Sequence, residues 1–360
     1  MTRVLLFIWR QKLAMKAISI FVKPRKQKDL ILYIPSFMNA FFHIFIFILI
    51  LFMYIHIVNQ YKTSEDLEIY EMDYVSNAHL QEVCSIKQPV LFHYKNVNPE
   101  FFDALDNEHL GVLEAHDVKI KDSRDYYKEG DNISVDYTVM AYRSADTLMK
   151  TDTKSSYFIE NNHSLPDDAG LLKSFQSNDE LLKPAMTAIT RYDIMTGSKN
   201  ACTPLRYHNN ERHLLCVIAG KVTIKMTPWK SSKYLYQNKD YDTYEFWSPI
   251  QVWKPQRKYF NEMDKMKFLE FDVNAGYIVS IPPYWWYSIK YGNNPETMVT
   301  SFTYNTVMNC VATLPDTCLY FMQQQNIKKR VAKTIDALDT TNVTYLDPQT
   351  REQSDIVTTL

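Results

Sequence analysis

Glycine is scarce in this chain, 7 residues in 360, against about 7% in an ordinary protein. That scarcity excludes the glycine-rich loops that cradle nucleotide phosphates, and no P-loop, G-x-S-x-G, H-E-x-x-H or C-x-x-C pattern occurs. Histidine is missing from every position after His213, so no imidazole can come from the remainder of the chain. A basic surplus is missing from most of the sequence as well. Of 40 basic and 41 acidic residues, eight basic (Arg3, Arg10, Lys12, Lys16, Lys23, Arg25, Lys26, Lys28) and one acidic (Asp29) precede residue 31. The rest carries 32 basic and 40 acidic residues, a net charge of −8. A nucleic-acid-binding domain needs the opposite balance, so nucleic acid is excluded as a partner.

Apolar residues are plentiful. They make up 46% of the chain, with 14% aromatic, enough for a substantial core. Richness in Tyr, Phe, Ile, Lys and Asn is the composition of an AT-rich genome, such as that of a protist or a large DNA virus.

The longest apolar run is Ala40–Val58, AFFHIFIFILILFMYIHIV, without a formal charge. About 20 such residues, at 1.5 Å rise, cross the hydrocarbon layer, and the uniform rather than striped pattern argues against a core helix. His43 and His56 lie toward its ends, where interfacial placement suits them. The Lys/Arg excess before the run, against Glu65, Asp66 and Glu68 after it, predicts a single-pass type II protein. Residues 1–39 are expected in the cytosol and the main domain on the lumenal or exoplasmic side, with a viral membrane among the candidates. Residues 4–22 are expected as an amphipathic helix on the cytosolic leaflet.

All five cysteines follow the span, where disulfides can form, and Cys310 with Cys318 is the expected pair by proximity. The sequons at Asn132, Asn162 and Asn342 are the expected glycosylation sites on that side.

Residues 59–85 read as a stalk, 86–325 as the folded domain, and 326–360 as a helix (IKKRVAKTIDAL) with a polar tail. A helix is expected from Pro99 to about Leu110, and a strand over Ser134–Tyr142. His213–Gly220 and Lys221–Pro228 are two strand runs meeting at an Ala-Gly turn, the signal of a hairpin. Gly276–Pro283 is a further strand, opened by glycine and stopped by two prolines. Tyr284–Tyr291 and Thr297–Asn305 have strong β propensity. Short strands at such spacing predict a mainly β sandwich or barrel with flanking helices.

The segment TPLRYHNNERHLLCVIAGKVTIKMTP, then AGYIVSIPPYWWYSI and SFTYN, resembles the JmjC/cupin-like dioxygenases in order and spacing. The likeness covers roughly residues 86–325, most specifically 203–305. It implies a double-stranded β-helix, a jelly-roll, and enzymes of that family use Fe(II) and 2-oxoglutarate on protein side chains. It also implies where the ligands would stand. The two ligands of the family's His-x-Asp/Glu motif fall on Arg206 and His208, the distal histidine on Tyr287, and the cosubstrate lysine on Val222. Thr203 and Asn305 match pocket positions, and Trp285 joins them as pocket lining, although packing against the barrel is the expectation for Trp285 and Trp286.

A guanidinium has no lone pair to donate, so Arg206 replaces a ligand with fixed positive charge. The expectation is therefore no metal, no cofactor, no catalytic residue, and a binding or scaffold role toward another protein. Two alternatives stay open. One is a divergent 2-oxoglutarate/Fe(II) hydroxylase with a rearranged site of His208, Glu211 and His213. The other is an anion- or glycan-binding pocket using Arg206 and Lys221. Oligomeric state is not legible.

Overall fold

The computed structural model describes residues 33–105, 110–128, 135–293, 296–326 and 333–334. The chain divides into two compact units, Met1–Ile55 and His56–Leu360. A helix, Tyr33–Gln60, runs from the first into the start of the second. Its first turn holds Pro35, a position where the missing N–H costs nothing. Within it Asn39–Gln60 is long and apolar enough to cross a membrane, and none of that stretch is buried. The expected amphipathic segment 4–22 and the helix from Ile327 lie outside the described residues.

The second unit is built from two sheets with helices. The core of the larger sheet runs in the order β13 (Tyr277–Ile281), β8 (Arg212–Ala219), β15 (Met298–Thr306), β6 (Thr187–Gly197). It is extended at one edge by β2 (Val90–His93) and β1 (Tyr70–Met72) and at the other by β5 (Tyr157–Ile159), β3 (Asp117–Asp122) and β4 (Tyr137–Ala141). The smaller sheet contains β7 (Arg206–Tyr207), β14 (Trp286–Tyr291), β9 (Lys221–Thr227) and β12 (Leu269–Asn274), with β10 (Asn238–Asp240) and β11 (Glu245–Trp247) beside β7. This mostly β architecture with helices is consistent with a cupin jelly-roll.

Period-two alternation distributes the side chains into three layers. Leu215 and Val217 of β8, Val279 and Ile281 of β13, and Val299 of β15 meet Val222, Ile224, Met226, Ile289 and Tyr291 between the sheets. From the same strands Leu214, Cys216, Ile278 and Phe302 point the other way, into a second core with Leu80, Phe101, Phe102 and Phe175. Burial on both faces explains why HLLCVIA reads as a continuous apolar run rather than an alternating one. A third cluster, Leu205, Tyr207, Phe246, Ile250 and Trp286, covers the outer face of the smaller sheet.

The expected hairpin at Gly220 is corrected. β8 pairs with β13 and β15 in one sheet, and β9 pairs with β12 and β14 in the other. Gly220 is the corner at which the chain crosses between sheets. Its φ is +75°, and a Cβ there would stand 2.5 Å from Thr297 Oγ1 and 2.9 Å from its Cα. Adjacent strand runs joined by a tight glycine turn look alike in sequence whether they pair or part.

The stalk is corrected too. β1 pairs with β2 in parallel, and the helix Asn77–Ser85 buries Leu80 and Val83 in the domain. The helix beginning at Pro99 ends at Ala104, short of the expected Leu110. The strand expected over 134–142 forms as Tyr137–Ala141, and residue 142 instead opens the helix Tyr142–Thr151.

The five cysteines are free thiols, so the expected Cys310–Cys318 bridge is not formed. The two lie on successive helices, Val307–Ala312 and Leu314–Asn326. Asn162 is buried, its amide donating to the Lys119 and Glu160 carbonyls and accepting from the Lys119 N–H. That leaves no room for a glycan, and the expectation at Asn162 is corrected. Asn132 and Asn342 lie outside the described residues.

Candidate functional site

Arg206 and Tyr287 are direct cross-strand partners on β7 and β14. The pleat therefore sends both side chains to one face, between the sheets, while their neighbours Tyr207 and Trp286 go to the other, 4.8 Å apart between ring centroids. The Arg206 guanidinium lies 5.4 Å from the centre of the Tyr287 ring. Arg206 Nη1 also donates to Glu160 Oε1, a carboxylate just past the end of β5 with almost no exposure.

Glu160 belongs to a longer chain of charges. Lys121, from β3, bridges Glu160 at 3.3 Å and Glu245, from β11. Glu245 accepts further bonds from Tyr126 Oη at 2.9 Å and Asn161 Nδ2 at 2.6 Å. Two cations and two carboxylates thus neutralise one another inside the domain. Burial works against the charge on Arg206, but the Glu160 carboxylate overcomes it and holds its pKa well above normal. Burial likewise opposes ionisation of Glu160, and Arg206 with Lys121 reverses the effect and lowers its pKa.

His208 sits beside this network. Its ring centroid is 4.8 Å from that of His213 and 6.0 Å from that of Tyr287. Both of its ring nitrogens are buried and bonded to no side chain, with the backbone at Ile281 and Asn210 beside them. Burial pushes its pKa down to about 3, with the backbone at Ile281 opposing in part and Arg206 reinforcing the shift, so the imidazole is neutral. His213 is neutral for the same first reason. It pairs through Nδ1 with Thr303 Oγ1 at 2.9 Å, the residue opposite it on β15, and stands 3.5 Å from the Tyr287 hydroxyl. Burial raises the Tyr287 pKa, with Arg206 opposing in part, so the phenol keeps its proton.

The positions singled out in the sequence are partly brought together. Arg206, His208 and Tyr287 converge, as the resemblance implies. Val222 and Trp285 lie in the core between the sheets. Thr203 is buried with its hydroxyl accepting from the Ile289 N–H at 2.9 Å, and Asn305 has a buried, unpartnered Oδ1. The alternative set of His208, Glu211 and His213 is not assembled. Glu211 is held by Lys87 at 2.6 Å, and among the described residues no group of three His, Cys, Asp or Glu side chains converges. Lys221 stands on the exposed face of β9, paired with Asp272 at 2.6 Å, because alternation turns Val222 inward and Lys221 outward. The pocket cation Arg206 is already neutralised by Glu160, which corrects the expectation that Arg206 and Lys221 together draw in an anion.

Ferrous iron finds a poor donor set in these three residues: a guanidinium with no lone pair, a neutral imidazole and a phenol that keeps its proton. Lys121, Glu160 and Glu245, which fill the site with charge, were not singled out in the sequence. Only the alternation of Phe158 and Glu160 on an inward-facing strand end could have marked one of them.

The cupin-like domain family matches residues 78–309 of the chain. A stretch of 94 residues is 32% identical to the JmjC domain-containing protein D of Dictyostelium discoideum, covering 26% of this chain. The chain spans 21% of that relative's length.

Proposed function

We propose, for a chain that belongs to the cupin-like domain family, that the domain is a non-catalytic jelly-roll, tethered to a membrane by one span and used to bind or scaffold another protein. The observation that carries this reading is the Arg206–Glu160 ion pair. A cation fixed by covalent bonds, and neutralised by its own carboxylate, takes the region where the family places a metal. The eight Lys/Arg residues before residue 31 and the apolar helix ending at Gln60 support a membrane-tethered module with its main domain on the non-cytosolic side.

One observation favours a second reading, a divergent 2-oxoglutarate-dependent hydroxylase. The neutral rings of His208 and His213 lie side by side, with the His208 nitrogens bonded to no other side chain. The two readings separate on the full chain purified in detergent. The scaffold reading expects no stoichiometric iron and succinate formation at background. Stoichiometric iron that is lost in a His208→Ala variant, together with succinate release above background, would replace it with the hydroxylase. Topology has its own check: protease added to sealed vesicles should spare the main domain from the cytosolic side, and digestion from that side would reverse the orientation.

A further inference from the structure

The helix Leu314–Asn326 is inside out. Its face toward the domain is polar. Asp316 accepts from Tyr241 Oη at 2.8 Å, Gln324 donates to the Asp242 carbonyl at 2.7 Å, and Tyr320 meets Tyr244 at 5.6 Å. These positions recur at i, i+4 and i+8, one helical face. The opposite face presents Leu314, Cys318, Phe321 and Met322, with Leu319 beside them. Phe321 is 61% and Met322 63% exposed. The helix holds one formal charge, Asp316, and it points inward. A surface helix normally does the reverse, burying its apolar stripe and solvating its polar one.

We propose that this apolar face lies on the surface of a phospholipid bilayer, the same one that the span crosses. The inference rests on the reading of Asn39–Gln60 as that span. Three observations favour lipid as the occupant. The helix begins where the span ends: Asn309 donates to Gln60 Oε1 at 3.4 Å and Tyr61 Oη donates to the Ala312 carbonyl, two residues before Leu314. The preceding helix, Val307–Ala312, continues the apolar surface with Val307 and Val311, both exposed. Finally, the sequence passes directly from Asn326 into Lys328, Lys329, Arg330 and Lys333, donors for the phosphate oxygens that a phospholipid headgroup carries in either leaflet. An uncharged face with cations following it is the composition of an interfacial helix, whereas polar and charged residues rim a protein–protein contact.

The test uses the full chain in phospholipid nanodiscs, with a nitroxide on Cys318 after Cys84, Cys202 and Cys310 are changed to serine. The expected spectrum is relaxed by dissolved oxygen and shielded from a water-soluble nickel chelate, relative to a nitroxide at exposed Lys230→Cys. In the Phe321→Glu/Met322→Glu variant, whose exposed side chains leave the fold intact, the shielding should be lost at an unchanged melting temperature. Nickel access equal to that at position 230 overturns the inference. So does shielding that vanishes on truncation after Asn326, which would make the chain's own tail the cover, or short spin–spin distances between copies, which would make it a second copy. Extraction of the full chain from membranes at alkaline pH would instead sink the span itself, a separately readable failure.

Discussion

Arg206 and Glu160, 46 residues apart in sequence, form a buried ion pair in which a strand of the smaller sheet supplies the cation and the end of a strand in the larger sheet supplies the anion. The pair also links the two sheets, since β5 and β7 lie in different ones. Breaking such a pair leaves an uncompensated charge in a poor solvent for it.

Arg206→Met should therefore destabilise the domain by about 3–5 kcal/mol. Adding Glu160→Leu should return part of that loss, because the carboxylate left with Lys121 alone disappears, and Lys121 keeps Glu245. Urea denaturation of both singles and the double closes the cycle. Strictly additive losses would mean that the two groups are not coupled.

Acid should destabilise the domain from near neutrality downward. His208 has a folded pKa of about 3 against an ordinary 6.5, so the unfolded chain binds the extra proton between those values. Its contribution is complete above 6.5 and is lost as pH falls, with a slope of about 1.4 kcal/mol per pH unit for each such site. His213 acts in the same direction. Glu160, with a lowered pKa, adds a further loss only in stronger acid. Melting temperatures from pH 7.5 to 5 should show the slope, and His208→Asn should flatten it. An unaltered slope in that variant would place the His208 ring in water.

Gly220→Ala should cost about 1–3 kcal/mol or more. The left-handed φ is unfavourable for alanine, and the new methyl meets Thr297 backbone that cannot swing aside. Ala219→Gly, one residue away, should cost less. Chemical denaturation that ranks them the other way would show that the corner relaxes.

Trp286→Ala should cost about 3–5 kcal/mol. The ring is fully buried against Tyr207 and Trp229, and its Nε1 donates to Ser232 Oγ at 2.7 Å. Ser232→Ala should cost only about 1 kcal/mol. Thermal unfolding distinguishes packing from hydrogen bonding by the ratio of the two losses.

On the non-catalytic reading, prolonged dialysis against a strong chelator should leave the melting temperature unchanged, because the ion pairs of Arg206, Lys121, Glu160 and Glu245 need no metal to balance them. A downward shift reversed by ferrous iron would reveal a bound metal through linkage.

The strands were largely legible because glycine, proline and β-branched runs mark them locally. Gly276–Pro283 and Tyr284–Tyr291 fall where the letters put them, as β13 and β14. Pairing was not legible at Gly220, where a turn between partners and a corner between sheets need the same backbone. The stalk was misread because β1 and the helix Asn77–Ser85 are short and polar on one side, and their apolar side chains find the core only through distant partners.

Taken alone, the amino-acid order settled the apolar helix, the charge split on either side of residue 31, and the lack of any histidine after residue 213. Those are properties of residue type and local spacing. What fills the site was decided in three dimensions. Lys121, Glu160 and Glu245 come from three strands that neighbour Arg206 only after two sheets have closed, and a charge has no visible partner until the chain brings one within a few ångströms.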